Sequence, residues 1–410
     1  MEMLRNLLPK NLSRAADAGG FVRIMLGIVG ISGLFGACDG VAAVENQATV
    51  ALLKTPGGGI QPQAVLDHSG IVHLIYYQGN ANAGDLHYVR QRPGETGWSA
   101  PIKINSRPKS AVALATVHGA QLAVGKGGRV HVVWCGPNAP REQRPGRYAE
   151  LFYARSNVQG TSFEPQRNLM QSTFGLVGGG SVAADAAGRV YVAWHGYDKP
   201  GHDESARRMW VARSDDEGES FSRESPATAE QTGACSCCSV KAFADSRGTS
   251  YVLYRAATAN VNRDMVLLVS RDHGRTFLAS RVHSWKISYC PMTSEALTEG
   301  PAGPIGAWET EGQVYFATID PTTGVMSAPI PGPGESKDRK HPAVATNAAR
   351  ETILVWTEGT GWQRGGALAW QVFDKSGRPT KVKGRIPDGI PAWGLATVVA
   401  RPDGSFLIVH

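Results

Sequence analysis

Charge is scarce in this 410-residue chain, where only 19% of the residues are Asp, Glu, Lys or Arg. The formal net charge of +7 is spread thinly, and no stretch carries a run of Lys or Arg. Nucleic-acid binding calls for a concentrated basic face, so no nucleic-acid partner is expected. Cysteine is nearly as sparse, with six residues in all, which excludes a small disulfide-held scaffold. The most extended apolar run, Ile24 to Ala37, falls short of the roughly 20 residues that a membrane helix needs. Glycine, by contrast, is abundant: 49 residues, with 24 prolines besides. So much backbone punctuation predicts many tight turns and short strands rather than helices.

The N-terminal stretch has the order of an export signal, with Arg5, Lys10, Arg14 and Arg23 ahead of the apolar run. The run ends in Leu34-Phe35-Gly36-Ala37-Cys38, which resembles the lipobox of bacterial lipoproteins. The resemblance implies a signal peptide over residues 1–38, lipidation at Cys38, and a membrane contact made through that lipid. Asp39 resembles the signal that retains some lipoproteins in the inner membrane, which implies the periplasmic side of the bacterial cell envelope. An ordinary cleaved signal peptide or an uncleaved anchor is the alternative, and either one exports the rest. With Cys38 lipidated, Cys135, Cys235, Cys237, Cys238 and Cys290 remain, an odd number that cannot all pair.

Beyond residue 60 the chain repeats itself. A short apolar strand, a turn and a second strand closing on an aromatic residue recur at Tyr77, Trp134, Trp194, Tyr254, Trp308 and Trp356, with a last copy ending at His410. The steps run from 48 residues (Trp308 to Trp356) to 60 residues (Trp134 to Trp194). Each copy is followed by a third strand, such as LFYARS or MVLLVS, and then a weaker fourth. Four strands per unit at this period predict an all-β chain, a β-propeller of four-stranded blades in one domain over residues 39–410. Seven blades are preferred, with the segment around Ala48 to Lys54 closing the last as its outer strand. Six blades is the alternative, if the final hairpin is only a cap.

Two of the turns between third and fourth strands share a pattern of Ser-x-Asp-x-Gly-x-Ser/Thr-aromatic. They are Ser214, Asp216, Gly218 and Phe221 in one copy and Ser270, Asp272, Gly274 and Phe277 in the other. Ser156 to Phe163 is a degenerate third copy with Val158 in the aspartate position. The aspartate can accept backbone N–H bonds, the glycine permits positive φ, and the aromatic packs between sheets, so these residues are read as structural. The pattern resembles the Asp-box of the sialidases and related BNR-repeat propellers of the neuraminidase superfamily. That resemblance implies a carbohydrate ligand in the central pocket, with exo-glycosidase (sialidase) activity as the finer expectation. The family holds its substrate's carboxylate with three arginines, the first in a Phe/Tyr-Arg-Ile-Pro motif. At that place this chain reads Gln61-Pro62-Gln63-Ala64, so no catalytic residue is assigned.

Alternating strand directions put the loops entering the first strands and those joining second to third on one face, opposite the Asp-boxes. On this pocket face lie three cysteines in four residues, Cys235, Cys237 and Cys238, and Cys290 from the next repeat. Disulfides bracing the channel mouth are the leading reading of the four. A thiolate metal site for Cu or Zn, with Met292 or His195 nearby, is the sharper one, and free or redox-active thiols complete the set. His195, Arg255, Arg263, Asp264, Trp285 and Lys286 share the face as candidate ligand-binding residues. Arg255 and Arg263 would clamp an anionic group, while an ion pair that orders a loop is the plain alternative for Arg263 and Asp264. The expected protein is an exported monomer that binds a carbohydrate or other small anionic ligand. A metal-binding envelope protein and a non-catalytic assembly scaffold are the competing classes.

Overall fold

A computed structural model describes residues 48–115, 119–137, 149–199, 203–230, 232–335 and 337–410. The signal segment, Cys38 and Asp39 lie outside the described residues. Among those described, no helix is long and apolar enough to cross a membrane.

The strands form seven sheets set around an axis, six of four strands and one of three. Blade one shows the plan: Ile60–Leu66 runs innermost, followed outward by Val72–Asn80, Ala83–Gln91 and Ile102–Lys103, each antiparallel to its neighbour. The inner strands of blades two to six are Gln121–Val124, Ser181–Ala184, Val240–Ala244, Ala296–Thr298 and Arg339–Thr346.

Second strands are the deepest. Val130–Cys135, Val190–Gly196 and Ile305–Thr310 are buried at every residue, because both faces of a blade pack against neighbouring blades. Their β-branched and aromatic side chains suit such a two-sided core. The aromatic residues that mark the repeat are all buried, and the indole N–H groups find partners. Trp134 Nε1 donates to Ser110 O (3.1 Å), Trp194 Nε1 to Thr173 Oγ1 (3.0 Å) and Trp308 Nε1 to His283 Nδ1 (3.1 Å). These positions are core, not sugar platforms. The outer edges are blunted by shortness or charge: Ser225–Pro226 and Ile330–Pro331 are two-residue strands with a proline. The longer Pro379–Ile390 sets Lys381, Lys383 and Arg385 at alternate positions.

Blade seven departs from the four-stranded plan. It comprises Thr397–Ala400 and Phe406–Val409, and Val50–Leu53 takes the third place, not the fourth. Val50–Leu53 pairs parallel to Phe406–Val409, from Val50 opposite Phe406 to Leu53 opposite Val409. The reason is directional. This strand must lead into the inner strand of blade one, as every outer strand leads into its next blade, so it keeps the direction of a fourth strand. With no third strand between, that direction is parallel to the second.

The Asp-box turns have the expected chemistry. Ser220 N and Oγ donate to the two oxygens of Asp216 at 2.9 and 2.6 Å, and Gly218 N donates to Ser214 Oγ at 2.8 Å. Asp272 repeats this with Thr276 (2.9 and 2.6 Å), and Gly274 N donates to Ser270 Oγ (2.8 Å). Partial burial opposes the charge on Asp216, but the Ser214 and Ser220 hydroxyls and the Ser220 N–H outweigh it and hold its pKa at about 2.

Candidate functional site

The seven inner strands enclose an axial cavity of about 400 Å³ in whose wall alanine is the commonest residue. Small side chains there leave the channel open. Its lining includes the ionisable groups Lys241, Glu295 and Glu299. Lys241 Nζ donates to Gln121 Oε1 at 2.7 Å, and burial lowers its pKa to about 8. Ser239 Oγ donates to Glu295 Oε2 at 2.7 Å, while Glu295 Oε1 has no hydrogen-bond partner. Burial, reinforced by Cys238, raises the Glu295 carboxyl well above the usual carboxylate range. Glu309, at the pocket-face end of its second strand, is raised to about 7 by burial. Both groups can therefore hold a proton near neutrality.

The cysteine loop stands at the channel mouth. Its shape is fixed from below: Cys235 N donates to Arg255 O (2.9 Å), Ser236 N to Glu204 Oε1 (2.6 Å) and Ser239 N to Thr293 O (3.0 Å). Gly233 enters the loop at φ +66°, and a Cβ there would press on the Ala257 carbonyl at 2.6 Å, so the turn requires glycine. Cys237 is bonded to Cys290 across blades four and five, with Cα atoms 6.3 Å apart. Cys135, Cys235 and Cys238 are free thiols, all buried. Cys235 and Cys238 share a hydrogen bond with sulfurs 3.1 Å apart, and Thr293 Oγ1 donates to Cys238 Sγ at 3.4 Å. Burial works against a Cys238 thiolate, but the Cys235 contact, the Arg255 charge and the Thr293 hydroxyl outweigh it and lower its pKa. Cys235, beside it, is pushed up. The Cys235, Cys237 and Cys290 sulfurs lie within 4.8 Å of one another, a spacing that a metal ion could bridge. The Cys237–Cys290 bond would have to open first.

The expected ligand-binding residues are brought to this place, but most face inward. Arg255 is 1% exposed and spends its guanidinium on protein groups. Its Nε donates to Thr293 Oγ1 (2.9 Å), its other nitrogens to the carbonyls of Arg263 (2.7 Å) and Glu309, and its Cζ lies 4.9 Å from the Trp285 ring centre. Arg263 is buried and paired with Glu204 at 2.5 Å. Asp264 Oδ1 accepts from Trp285 N at 3.0 Å. His195 is buried, with Nδ1 3.3 Å from an Arg207 nitrogen. These residues build the floor under the cysteine loop; Lys286 alone of the six is exposed. Arg255 therefore has all three guanidinium nitrogens engaged by protein groups, whereas Arg263 pairs through Nη2 and leaves Nε and Nη1 without a hydrogen-bond partner.

Across the same face, blades six and seven present a feature that the repeat pattern hides. Trp362, on the loop between Thr352–Glu358 and Gly366–Phe373, is 57% exposed. Its ring stands edge-on to Trp393, which precedes the inner strand of blade seven, with centres 4.8 Å apart and planes at 89°. Gln61 opens the Gln61-Pro62-Gln63-Ala64 segment in the inner strand of blade one. Buried at φ 52°, it donates through Nε2 to Trp393 O (2.8 Å) and Ala113 O (2.6 Å), so it ties blade one to the loop carrying Trp393. The signal for the pair was in the sequence: Gly-Thr-Gly-Trp and Pro-Ala-Trp-Gly put tryptophan on glycine-rich loops, away from the strand ends that the repeat assigns to the core.

Fold and turns together define a seven-bladed, sialidase-like β-propeller with Asp-box turns on one face and a loop-lined pocket on the other. The sequence matches the BNR repeat-like domain over residues 80–295, more than half of the chain, and the protein belongs to that family. No curated protein matches it significantly. Among solved structures it is similar to a protein of unknown function from Dyadobacter fermentans, at 14% identity and a TM-score of 0.51, over 76% of this chain and 94% of that one. Looser likenesses include the Trypanosoma rangeli sialidase in complex with the inhibitor DANA (12% identity, TM-score 0.45, 72% and 52% coverage). Another is the Penicillium chrysogenum alpha-L-arabinanase complexed with arabinobiose (12%, 0.49, 80% and 98%). At such identities the likeness concerns the fold.

Proposed function

We propose that this propeller binds a carbohydrate on its pocket face, with Trp362 and Trp393 as the stacking surface beside the channel mouth. The observation that carries the reading is the exposed Trp362 ring, held edge-on by Trp393 on the face where the inner-strand loops converge. An indole gives a sugar's C–H face a broad apolar contact at low entropic cost, and Arg364 on the same loop is exposed to meet acidic substituents. Membership in the BNR repeat-like family is consistent with a sugar ligand. Hydrolysis would draw on Glu309 and Glu295 as proton donors, yet the segment Gln61-Pro62-Gln63-Ala64 holds no arginine like the family's first. Binding is therefore the reading adopted, in an exported monomer tethered through a lipid on Cys38.

The test is calorimetric titration with neutral, sialylated and uronate-bearing oligosaccharides. Trp362→Ala is expected to weaken binding about tenfold, roughly 1.4 kcal/mol of stacking, without altering the unfolding midpoint. Unchanged affinity in both Trp362→Ala and Trp393→Ala, or no affinity for any of the sugars, would sink the idea. A thiolate copper or zinc centre is the second reading, favoured by the three sulfurs within 4.8 Å. Elemental analysis of protein purified without chelator decides it.

A further inference from the structure

Neither sugar binding nor simple bracing uses the arrangement of the four pocket cysteines. Cys235 and Cys238 stand in Cys-x-x-Cys separation, the spacing common to dithiols that open and close as disulfides. Their sulfurs are 3.1 Å apart, in a turn where Cys238 N donates to Cys235 O at 3.4 Å. The Cys235 sulfur is also 3.6 Å from that of Cys237, so a free thiol abuts an existing disulfide. Accessibility is graded along the series: Cys290 is exposed, Cys237 is partly so, and Cys235 and Cys238 are each 1% exposed. A disulfide that only braced two blades would need no thiol at attacking distance, and thiols that only filled the core would need no contact with it.

We propose that these cysteines form a thiol–disulfide exchange site, with the solvent-facing Cys237–Cys290 bond as its entry point and the buried Cys235/Cys238 dithiol as its electron store. In the first step the Cys238 sulfur, 3.1 Å away, takes the proton of the Cys235 thiol, and the Cys235 sulfur attacks Cys237 Sγ. The Cys237–Cys290 bond breaks, and its electron pair leaves on Cys290, which takes up a proton. Cys238 then gives up its proton and attacks Cys235 Sγ. The transient Cys235–Cys237 bond breaks, with its pair leaving on Cys237, which is protonated. Cys235 and Cys238 have lost two electrons and Cys237 and Cys290 have gained them, so the internal transfer needs no reagent. An external disulfide can then reoxidise the exposed pair and leave as two thiols.

The experiment uses the full chain in glutathione buffers graded from reduced to oxidised, with acid quenching, alkylation and mass-spectrometric mapping. The Cys235–Cys238 bond is expected to appear as the buffer becomes oxidising, while Cys135, buried in another blade, stays reduced as an internal control. In Cys290→Ala the entry disulfide is lost, and oxidation of Cys235 and Cys238 by oxidised glutathione is expected to slow at least tenfold. The proposal is overturned if Cys235 and Cys238 stay reduced in every buffer or oxidise at the same rate in Cys290→Ala. One bound metal ion per chain on the four sulfurs would overturn it as well. The mapping of the unaltered chain stands as a test even where the variant fails to fold.

Discussion

Glu309 is the penultimate residue of its strand, with the carboxyl buried behind the channel mouth, and that burial sets when it carries charge. The unfolded chain gives up this proton near pH 4.5, whereas the folded protein keeps it up to about pH 7. Between those values the folded state binds more protons than the unfolded one, so this group's contribution to stability, full below pH 4.5, is lost as pH rises through 7. Glu309→Gln keeps the neutral shape and cannot ionise. It is expected to match the wild type at about pH 4 and to unfold at higher urea than the wild type at about pH 8. Identical urea midpoints for both proteins at the upper pH would refute this. The same scale shows why Arg255 and Arg263 were legible as pocket-face residues but not as supports. Position in the repeat gives the face, while the partners that occupy a guanidinium come from Glu204, Thr293 and Glu309, brought in from a 3-10 turn, a loop and another strand.

At the scale of the single turn, the Asp-box shows how a short pattern dictates local structure. Gly218 sits at φ +76°, and a Cβ there would collide with the Tyr153 hydroxyl of the preceding blade. Gly218→Ala is therefore expected to cost about 2 kcal/mol or more, since both backbone and packing resist it. Asp215→Ala, exposed in the same turn, should leave stability within about 0.5 kcal/mol. Equal urea midpoints for the two variants would contradict the account. The degenerate copy at Ser156 illustrates what a pattern misses. Val158 replaces the aspartate, yet Asn157 Oδ1 accepts from Thr161 N (2.8 Å) and Ser162 N (3.3 Å) and does its work one residue earlier. Hydrogen bonding asks for an acceptor in the right place, and a neighbouring residue can put one there.

For the whole molecule, closure of the ring depends on a strand distant in sequence from its partners. Val50–Leu53 covers the edge of Phe406–Val409, whose four residues are fully buried. A chain beginning at Gln47 is expected to unfold at the same temperature as the full chain. One beginning at Pro56 uncovers that apolar edge and should unfold earlier and associate, because an unpaired strand offers its free N–H and C=O groups to other chains. Thermal scans with size-exclusion chromatography check both, and equal midpoints for the two truncations would count against closure by this strand. What the sequence by itself determined was local and periodic: the blades, their aromatic cores, the Asp-box turns and the face on which the cysteines gather. All of these follow from strand alternation, turn chemistry and a repeat of near-constant length. Only the tertiary structure decided the parallel third strand of blade seven, the Cys237–Cys290 partnership, the burial of Arg255 and Arg263, and the meeting of Trp362 with Trp393. Each of these is a contact between residues whose sequence distance says nothing of their spatial distance. The ring alone brings them together.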